Sequence, residues 1–136
     1  MNCLKGHIID IQSKEHLSLV WIQIGLVEFK SIVIDTPDTS DYLKVGNVVK
    51  VLFKESETIL ARNLKGDISL QNRIEGMVTS VDKGHLLSNV HLDCNDNRIS
   101  SVITSLSVER LGIQKGVKVT ALIKTNEVVL APEHGT

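Results

Sequence analysis

The chain has 136 residues, of which 42% are hydrophobic and 23% are charged, and its formal net charge at pH 7 is -1. This composition is typical of a globular protein rather than a disordered one, and the near-neutral charge excludes a general electrostatic attraction to nucleic acid or anionic lipid. Any anion that the chain binds must therefore be held by a local site.

The sequence indicates neither a membrane span nor an export signal. Its longest apolar stretch, residues 17–27, is interrupted by Ser18 and Gln23 and is too short to cross a bilayer. The first residues lack the cationic and apolar regions of a signal peptide. Cys3 and Cys94 are isolated in sequence, which argues against a zinc knuckle or a disulfide framework. We therefore expect a cytoplasmic protein with no membrane partner.

The sequence repeats itself without a gap at an offset of 70 residues, as the pair Gly6 and Gly76 shows. Further identities fall at the same offset: Asn2 with Asn72, Ser31 with Ser101, Gly46 with Gly116, Lys54 with Lys124, and Leu60-Ala61 with Leu130-Ala131. Such a repeat indicates a duplicated structural unit. We predict a first domain over residues 1–66 and a second over residues 67–136, each near the lower size limit for an independent core.

Short strands and turns are predicted along the first unit. Apolar residues alternate in two rows, which are Val20, Ile22 and Ile24, and then Val49, Val51 and Phe53. A period of two is typical of strands that bury one face. Turns are expected at Gly25 and at residues 44–46, and residues 36–41 have the cap, proline and acidic residues that favour one helical turn.

The second unit repeats this pattern. Its rows are Val90, Leu92 and Cys94, and then Val117, Val119, Ala121 and Ile123. Residues 105–112 begin with hydroxyl residues and end at Gly112, which predicts a short helix. About five strands and one helical turn in each unit predict an all-β fold of two tandem OB-like five-stranded β-barrels, each with one short helix.

Three segments of the second unit resemble the Mop or TOBE domain of molybdenum-pterin-binding proteins. They are Ser69-Leu-Gln-Asn-Arg-Ile-Glu-Gly76, the run from Ile99 to Gly112, and the run from Gly116 to Ala131, which contains Ala121-Leu-Ile-Lys124. Two fused copies resemble the molbindins. The resemblance implies that the chain binds molybdate or tungstate at interfaces between modules, without an organic cofactor, in order to store or buffer the oxyanion.

The resemblance also implies a set of site residues, all of them hydrogen-bond donors or cations. They are Ser69, Gln71, Asn72, Ser100, Ser107 and Lys124 in the second copy, with Lys54 in the first copy and Arg62 in the linker. A tetrahedral dianion offers only acceptor oxygens, so donors of these types suit it. The N-terminus of the short helix near Ser105 would add free backbone N–H groups.

Some of these positions depart from the family pattern. Gln71 stands where the family usually has arginine, and Arg62, in Ala61-Arg-Asn-Leu-Lys-Gly66, is a candidate replacement for that guanidinium.

In the first copy Lys30 occupies the position of Ser100, and Asp35 that of Ser105. A carboxylate beside a dianion disfavours binding, so the first unit is either a second site or a scaffold. Ser107 suits a helix cap as well as a ligand contact, and the two roles are compatible.

Three other classes of function are disfavoured by the sequence. No nucleophile and base arrangement or glycine-rich phosphate loop stands out, so we expect no enzymatic activity. The histidines, at positions 7, 16, 85, 91 and 134, do not match between the repeats, so we expect metal only as an oxyanion and no direct protein ligands. Phe29 and Phe53 are in phase with the core, which leaves too few aromatic residues for a nucleic-acid surface.

We therefore expect intracellular molybdate or tungstate binding for storage, buffering or homeostasis, by a homo-oligomer in which a trimer is favoured over a dimer. The alternative is the ligand-sensing di-Mop part of a molybdate-responsive transcription regulator or of a molybdate transporter ATPase. The complete open reading frame would distinguish these two possibilities.

Overall fold

A computed structural model describes residues 1–133, which form ten β-strands, one α-helix and two 3-10 turns. The first repeat contains β1 (Asn2–Lys14), β2 (Leu17–Ile24), β3 (Val27–Val33), β4 (Val48–Phe53), a 3-10 turn (Glu55–Glu57) and β5 (Ile59–Ala61). The second repeat contains β6 (Asn72–Lys83), β7 (Leu87–Cys94), β8 (Asn97–Thr104), α1 (Ser105–Leu111), β9 (Lys118–Ile123), a 3-10 turn (Thr125–Glu127) and β10 (Val129–Pro132). The fold is all-β, as predicted.

The last strand of each repeat lies in the sheet of the other repeat. One antiparallel five-stranded sheet has the order β10-β4-β1-β2-β3, and the second has the order β5-β9-β6-β7-β8. Leu130 of β10 pairs with Val51 of β4, and Leu60 of β5 pairs with Ala121 of β9. The predicted units 1–66 and 67–136 thus describe the sequence repeats, whereas each sheet takes four strands from one repeat and one from the other.

The alternating apolar rows of the sequence form the core. In the first repeat Val20, Ile22 and Ile24 are at most 2% exposed, and Phe53 packs against Phe29 with ring centroids 6.2 Å apart. Their counterparts Val90, Leu92 and Cys94 are equally buried. The register of each strand is fixed because a slip by one residue would turn its apolar row to solvent. The predicted core phase is confirmed.

A bulge and a glycine allow the first long strand of each repeat to curl over its neighbour. The register between β1 and β2 shifts between Ile8 and Asp10, and that between β6 and β7 shifts at the equivalent position. At Gly6 a Cβ atom would lie 2.7 Å from the carbonyl oxygen of Gln23. Glycine is required here because the crossing strand leaves no space for a side chain.

The two repeats differ where a short helix was predicted in each. In the second repeat, Thr104 caps α1 by accepting a hydrogen bond from the Ser107 N–H at 3.1 Å, and Gly112 ends it in the left-handed conformation. In the first repeat, residues 36–41 form hydrogen-bonded turns instead of a helix. The Thr36 N–H donates to Thr39 Oγ1 at 2.8 Å, and such local side-chain bonds compete with helix formation.

Across residues 1–133, no helix combines the length and the apolar character that a bilayer crossing requires.

Candidate functional site

The exchange of strands places Lys54 and Lys124 over the opposite repeat. Lys54 precedes the first 3-10 turn, which packs against β8, and Lys124 precedes the second, which packs against β3. Both side chains are exposed. Each lysine therefore belongs to a candidate composite site. We use this term for a site in which the cation comes from one repeat and the underlying strand comes from the other.

Two equivalent asparagines hold these underlying strands in place. Asn72 Oδ1 accepts from the Lys30 N–H at 2.7 Å, and its Nδ2 donates to the Lys30 carbonyl at 2.8 Å. Asn2 makes the same pair of bonds with the backbone of Ser100, both at 2.8 Å. Asn72 is fully buried, so the structure gives its amide a role in joining the repeats. A direct contact of Asn72 with an oxyanion stays a prediction.

Two equivalent serines tie the same strands to the exchanged segments. The Ser31 hydroxyl donates to the Val128 carbonyl at 2.7 Å, and the Ser101 hydroxyl donates to the Thr58 carbonyl at 2.5 Å. Both serines are 0% exposed. Together with the asparagines they fix the backbone beneath each lysine, so the composite sites are rigid at their base.

The first composite site is a shallow cavity of about 330 Å³ beside Lys54. It is lined by Met1, Lys54, Glu55, Ser56 and Val102, so that β8 of the second repeat forms one wall. The N-terminal amine lies 2.6 Å from the Glu55 carboxylate, and its hydrogen bond lowers the pKa of that carboxyl. The cavity is thus lined by two ammonium groups, those of Lys54 and of the N-terminus, by the Ser56 hydroxyl, and by one carboxylate that is already paired with the N-terminal amine.

Ser100 belongs to the same surface. It lies two residues before Val102 on β8, and side chains two residues apart on a strand share a face. The structure therefore brings Lys54 and Ser100, two of the predicted site residues, to one side of the molecule.

The second composite site surrounds Lys124. Asn72 pairs with Ile123, so Gln71 and Lys124 are the next residues beyond the last pair of β6 and β9. Ser69 and Gln71 are exposed in the segment that leads into β6. The register therefore places Gln71 and Lys124 at neighbouring ends of β6 and β9, with Ser69 two residues before Gln71.

Lys30 is a further candidate residue near Lys124, which the sequence analysis named only as the counterpart of Ser100. Its backbone is held by Asn72, and the second 3-10 turn that follows Lys124 packs on its strand. Lys30 occupies the repeat position of Ser100, and this signal was visible in the alignment of the two copies. Lys30 and Lys124, from different repeats, thus lie on neighbouring segments of the second candidate site, whereas the first candidate site has Ser100 at the position of Lys30.

Two predicted residues lie apart from these lysines. Ser107 accepts a hydrogen bond from the Thr104 hydroxyl at 2.8 Å, and Thr104 is ~13 Å along β8 from Ser100. Arg62 Nη1 donates to the carbonyls of Leu111 at 2.9 Å and Gly112 at 3.1 Å, at the C-terminal end of α1. Both residues thus have structural roles at the helix, and a ligand role for either one stays a prediction.

No cluster suited to direct metal coordination occurs in the described part of the chain, where no three or more His, Cys, Asp or Glu side chains are grouped. His134, one of the histidines considered above, lies outside the described residues.

Comparison with known proteins identifies the family. A TOBE domain model matches residues 68–130, which lie in the second repeat. Molybdenum-pterin-binding protein 1 of Clostridium pasteurianum is 38% identical over 64 residues, which are 46% of this chain and 94% of that protein. The chain belongs to the Mop family of TOBE-domain proteins.

Other Mop relatives match a larger part of the chain. MopA, a molybdenum-pterin-binding protein of Rhodobacter capsulatus, is 35% identical over 103 residues, which are 74% of this chain and 39% of MopA. The molybdenum import ATP-binding protein ModC of Rhizobium johnstonii is 31% identical over 126 residues, which are 90% of this chain and 32% of ModC. Mop sequences thus occur in proteins of different length and organisation.

A solved structure shows that the complete two-repeat Mop fold is known. The cytoplasmic molybdate-binding protein ModG, crystallised with molybdate bound, superimposes with a TM-score of 0.90 and 23% sequence identity. The match covers 96% of this chain and 95% of that one. At this identity the likeness establishes the fold, including two Mop modules in one chain.

Proposed function

We propose that this Mop chain binds molybdate or tungstate reversibly, without a catalytic step, and stores or buffers the oxyanion in the cytoplasm. The observation that carries the proposal is the placement of Lys54 and Lys124, each over a strand of the opposite repeat and each beside polar groups. Membership of a family whose relatives are named for molybdenum binding supports it.

The chemistry of the composite sites suits a tetrahedral dianion. Micromolar binding requires about 8 kcal/mol, whereas one charge-assisted hydrogen bond contributes about 1.5–3 kcal/mol. Several donors must therefore converge on one ion. Near Lys124 these are Gln71, Ser69 and the ammonium group of Lys30, and near Lys54 they are Ser56 and Ser100.

Selectivity against phosphate follows from the same composition. Near neutral pH, phosphate carries a proton for part of the time, and a site made only of donors leaves that proton without a partner. Molybdate and tungstate both lack this proton and share shape and charge. We propose that the sites accept both ions and that cavity size disfavours the smaller sulfate.

A second part of the proposal is that the chain forms a homo-oligomer, with a trimer as the favoured state. The composite sites are open on one side, and apolar residues on the outer face of β2, β3 and the following residue are exposed, among them Leu17 at 47%, Ile32 at 37% and Ile34 at 80%. Contiguous exposed apolar side chains are typical of a protein interface. Another copy on this face would cover the nearby Lys30 and thereby exclude water from the bound ion.

Calorimetric titration with molybdate in low-sulfate buffer tests the proposal. The expected stoichiometry is two ions per chain if both composite sites bind, and one if the first repeat serves as a scaffold. Absence of both heat and thermal stabilisation with molybdate and with tungstate would refute the function.

Lys124→Ala is expected to weaken molybdate binding at least tenfold while the unfolding midpoint without ligand stays the same. The reason is the loss of a charge-assisted hydrogen bond from an exposed side chain. Lys65→Ala, at an exposed position in the linker, is the matched control and should bind as the parent does. If Lys124→Ala and Lys65→Ala bind molybdate with equal affinity, Lys124 does not contact the ion.

A further inference from the structure

Ser100 is the first member of a hydrogen-bonded chain that crosses three strands. Its hydroxyl lies 2.9 Å from His91 Nδ1 on β7, and His91 Nε2 lies 2.9 Å from Asp82 Oδ2 on β6. The backbone of Ser100 is fixed by Asn2 through two bonds of 2.8 Å. The hydroxyl therefore rotates about a fixed backbone, and its direction depends on its partner.

The chemistry of this chain fixes the position of each proton. The Asp82 carboxylate only accepts, so Nε2 of His91 carries a hydrogen. In the neutral ring, Nδ1 is then an acceptor and takes the hydroxyl hydrogen of Ser100. In this state the hydroxyl hydrogen of Ser100 is committed to His91, so Ser100 offers only lone pairs to any other group.

We propose that His91 is a positioning residue for oxyanion capture, which turns the Ser100 hydroxyl into a donor when the imidazole is protonated. The Nδ1–H of the charged ring donates to Ser100 Oγ, and the hydroxyl hydrogen becomes free to point at the bound ion. The proposal rests on the function proposed above. It adds that binding at the Lys54 site strengthens as pH falls through the range in which imidazole titrates.

Four charged side chains surround His91. Asp82 faces it from β6, Asp93 and Asp96 from its own strand and the following turn, and Arg98 from β8. Except for Asp82, these groups line a cavity of about 690 Å³, to which Thr79, Ser80, Leu92, Ile99 and Ser100 also contribute. The N-terminal amine also lines the Lys54 cavity, and α-amino groups as a class change charge near the upper end of the range in which imidazole titrates. A pH response is therefore assigned to His91 through its loss in His91→Phe.

The first repeat provides an internal comparison. There Trp21 occupies the position of His91 and pairs with Lys30, which occupies the position of Ser100. An indole has no titration in this range, and a lysine is already a donor. The Lys124 site therefore lacks an equivalent of the His91–Ser100 hydrogen bond. Molybdate binding at the two sites of one chain should differ in its dependence on pH.

The test measures molybdate affinity calorimetrically in the full-length Lys124→Ala background, which isolates the Lys54 site, between about pH 6 and about pH 8. The expected gain on acidification is about tenfold, equivalent to about 1.4 kcal/mol. His91→Phe should remove the pH dependence and bind at about pH 8 at least as tightly as its parent, because the Ser100 hydroxyl is then free. Ser100→Ala should bind molybdate weakly at both pH values. Ser100→Thr, which keeps a hydroxyl, should restore the dependence of affinity on pH.

Each other outcome has a defined meaning. A flat profile in the parent, or a slope that persists in His91→Phe, overturns the role of His91 and leaves the proposed function intact. Loss of all binding in the Lys124→Ala background overturns the Lys54 site alone, provided that the unmutated chain binds. No binding by the unmutated chain overturns both proposals. The ¹⁵N chemical shifts of the His91 ring independently identify its neutral tautomer. A hydrogen on Nδ1 instead of Nε2 would contradict the proposed hydrogen-bonded chain.

Discussion

At the scale of single residues, the identities between the two copies are mainly structural. Asn2 and Asn72 bridge the repeats, Ser31 and Ser101 anchor the exchanged segments, and Gly76 permits a close crossing of strands. Sequence reasoning assigned Asn72 to the ligand because its residue type suits an anion, but type alone does not reveal a backbone partner 42 residues away. Lys54 and Lys124 were selected because they match in the repeat and because Lys124 lies in the family motif, and their contact with an oxyanion stays a prediction.

Asn72→Ala should lower the free energy of unfolding by about 2–4 kcal/mol, because two hydrogen bonds are lost and the backbone of Lys30 loses its partner. Chemical denaturation in the absence of oxyanion measures this. Asn126→Ala, at an exposed position in the second 3-10 turn, is the control and should change stability little. Similar values for the two variants would show that the bridge does not stabilise the fold.

Gly76→Ala should destabilise the protein, and Cys94→Ala should partly rescue it. A Cβ at position 76 would lie 2.3 Å from Cys94 Sγ and 3.0 Å from the Asp93 carbonyl oxygen. The sulfur is buried, and burial raises the pKa of this thiol to about 11, so it packs as a neutral group. Thermal unfolding of both single variants and the double variant gives the coupling. If the effects of the two substitutions on stability are strictly additive, the steric clash of the Cβ at position 76 is with the Asp93 backbone and not with the Cys94 sulfur.

At the scale of elements, the alternation of apolar residues predicted which segments are strands but not which sheet receives β5 and β10. Leu60 and Leu130 are identical in the repeat and both are buried, so the local sequence suits either sheet equally. The partner is decided by the connections around each short strand, a property of the whole chain. The helical turn predicted at residues 36–41 of the first repeat is not formed. Hydrogen bonds of the Thr39 side chain with the backbone of Thr36 favour turns there instead.

A fragment of residues 67–136 should form a dimer in which two copies exchange β10. Its sheet lacks the strand that β5 supplies, and the corresponding strand of a second fragment has the same pattern. Sedimentation equilibrium measures the mass, and adding a fragment of residues 1–66 should convert the dimer into a one-to-one complex. A stable monomeric fragment would mean that the strand closes on its own sheet.

At the scale of the whole molecule, the two proposed sites come from one duplicated sequence, yet they differ in residue composition. The site at Lys124 gains Lys30, and the site at Lys54 has Ser100 with its histidine partner. The sequence predicted a pair of modules, and its set of donor residues stays a prediction. It did not predict that each site combines both repeats, because that depends on the strand exchange.

Ile34→Lys should reduce the assembled mass in solution without unfolding the chain. The side chain is 80% exposed beside Leu17 and Ile32, and a charge there would be buried unpaired in an interface. Leu26→Lys, at a hairpin tip where the leucine is 92% exposed, is the matched control. Light scattering distinguishes the two. If the control dissociates the assembly and Ile34→Lys does not, the interface lies at the hairpin tip.

The strand exchange also governs how ligand and stability are linked. If either repeat unfolds, it withdraws its exchanged strand from the sheet of the other repeat, and both proposed anion sites are lost together. Occupancy of either site should therefore raise the melting temperature of the entire chain as a single transition, in proportion to the logarithm of the oxyanion concentration when that concentration is well above the dissociation constant.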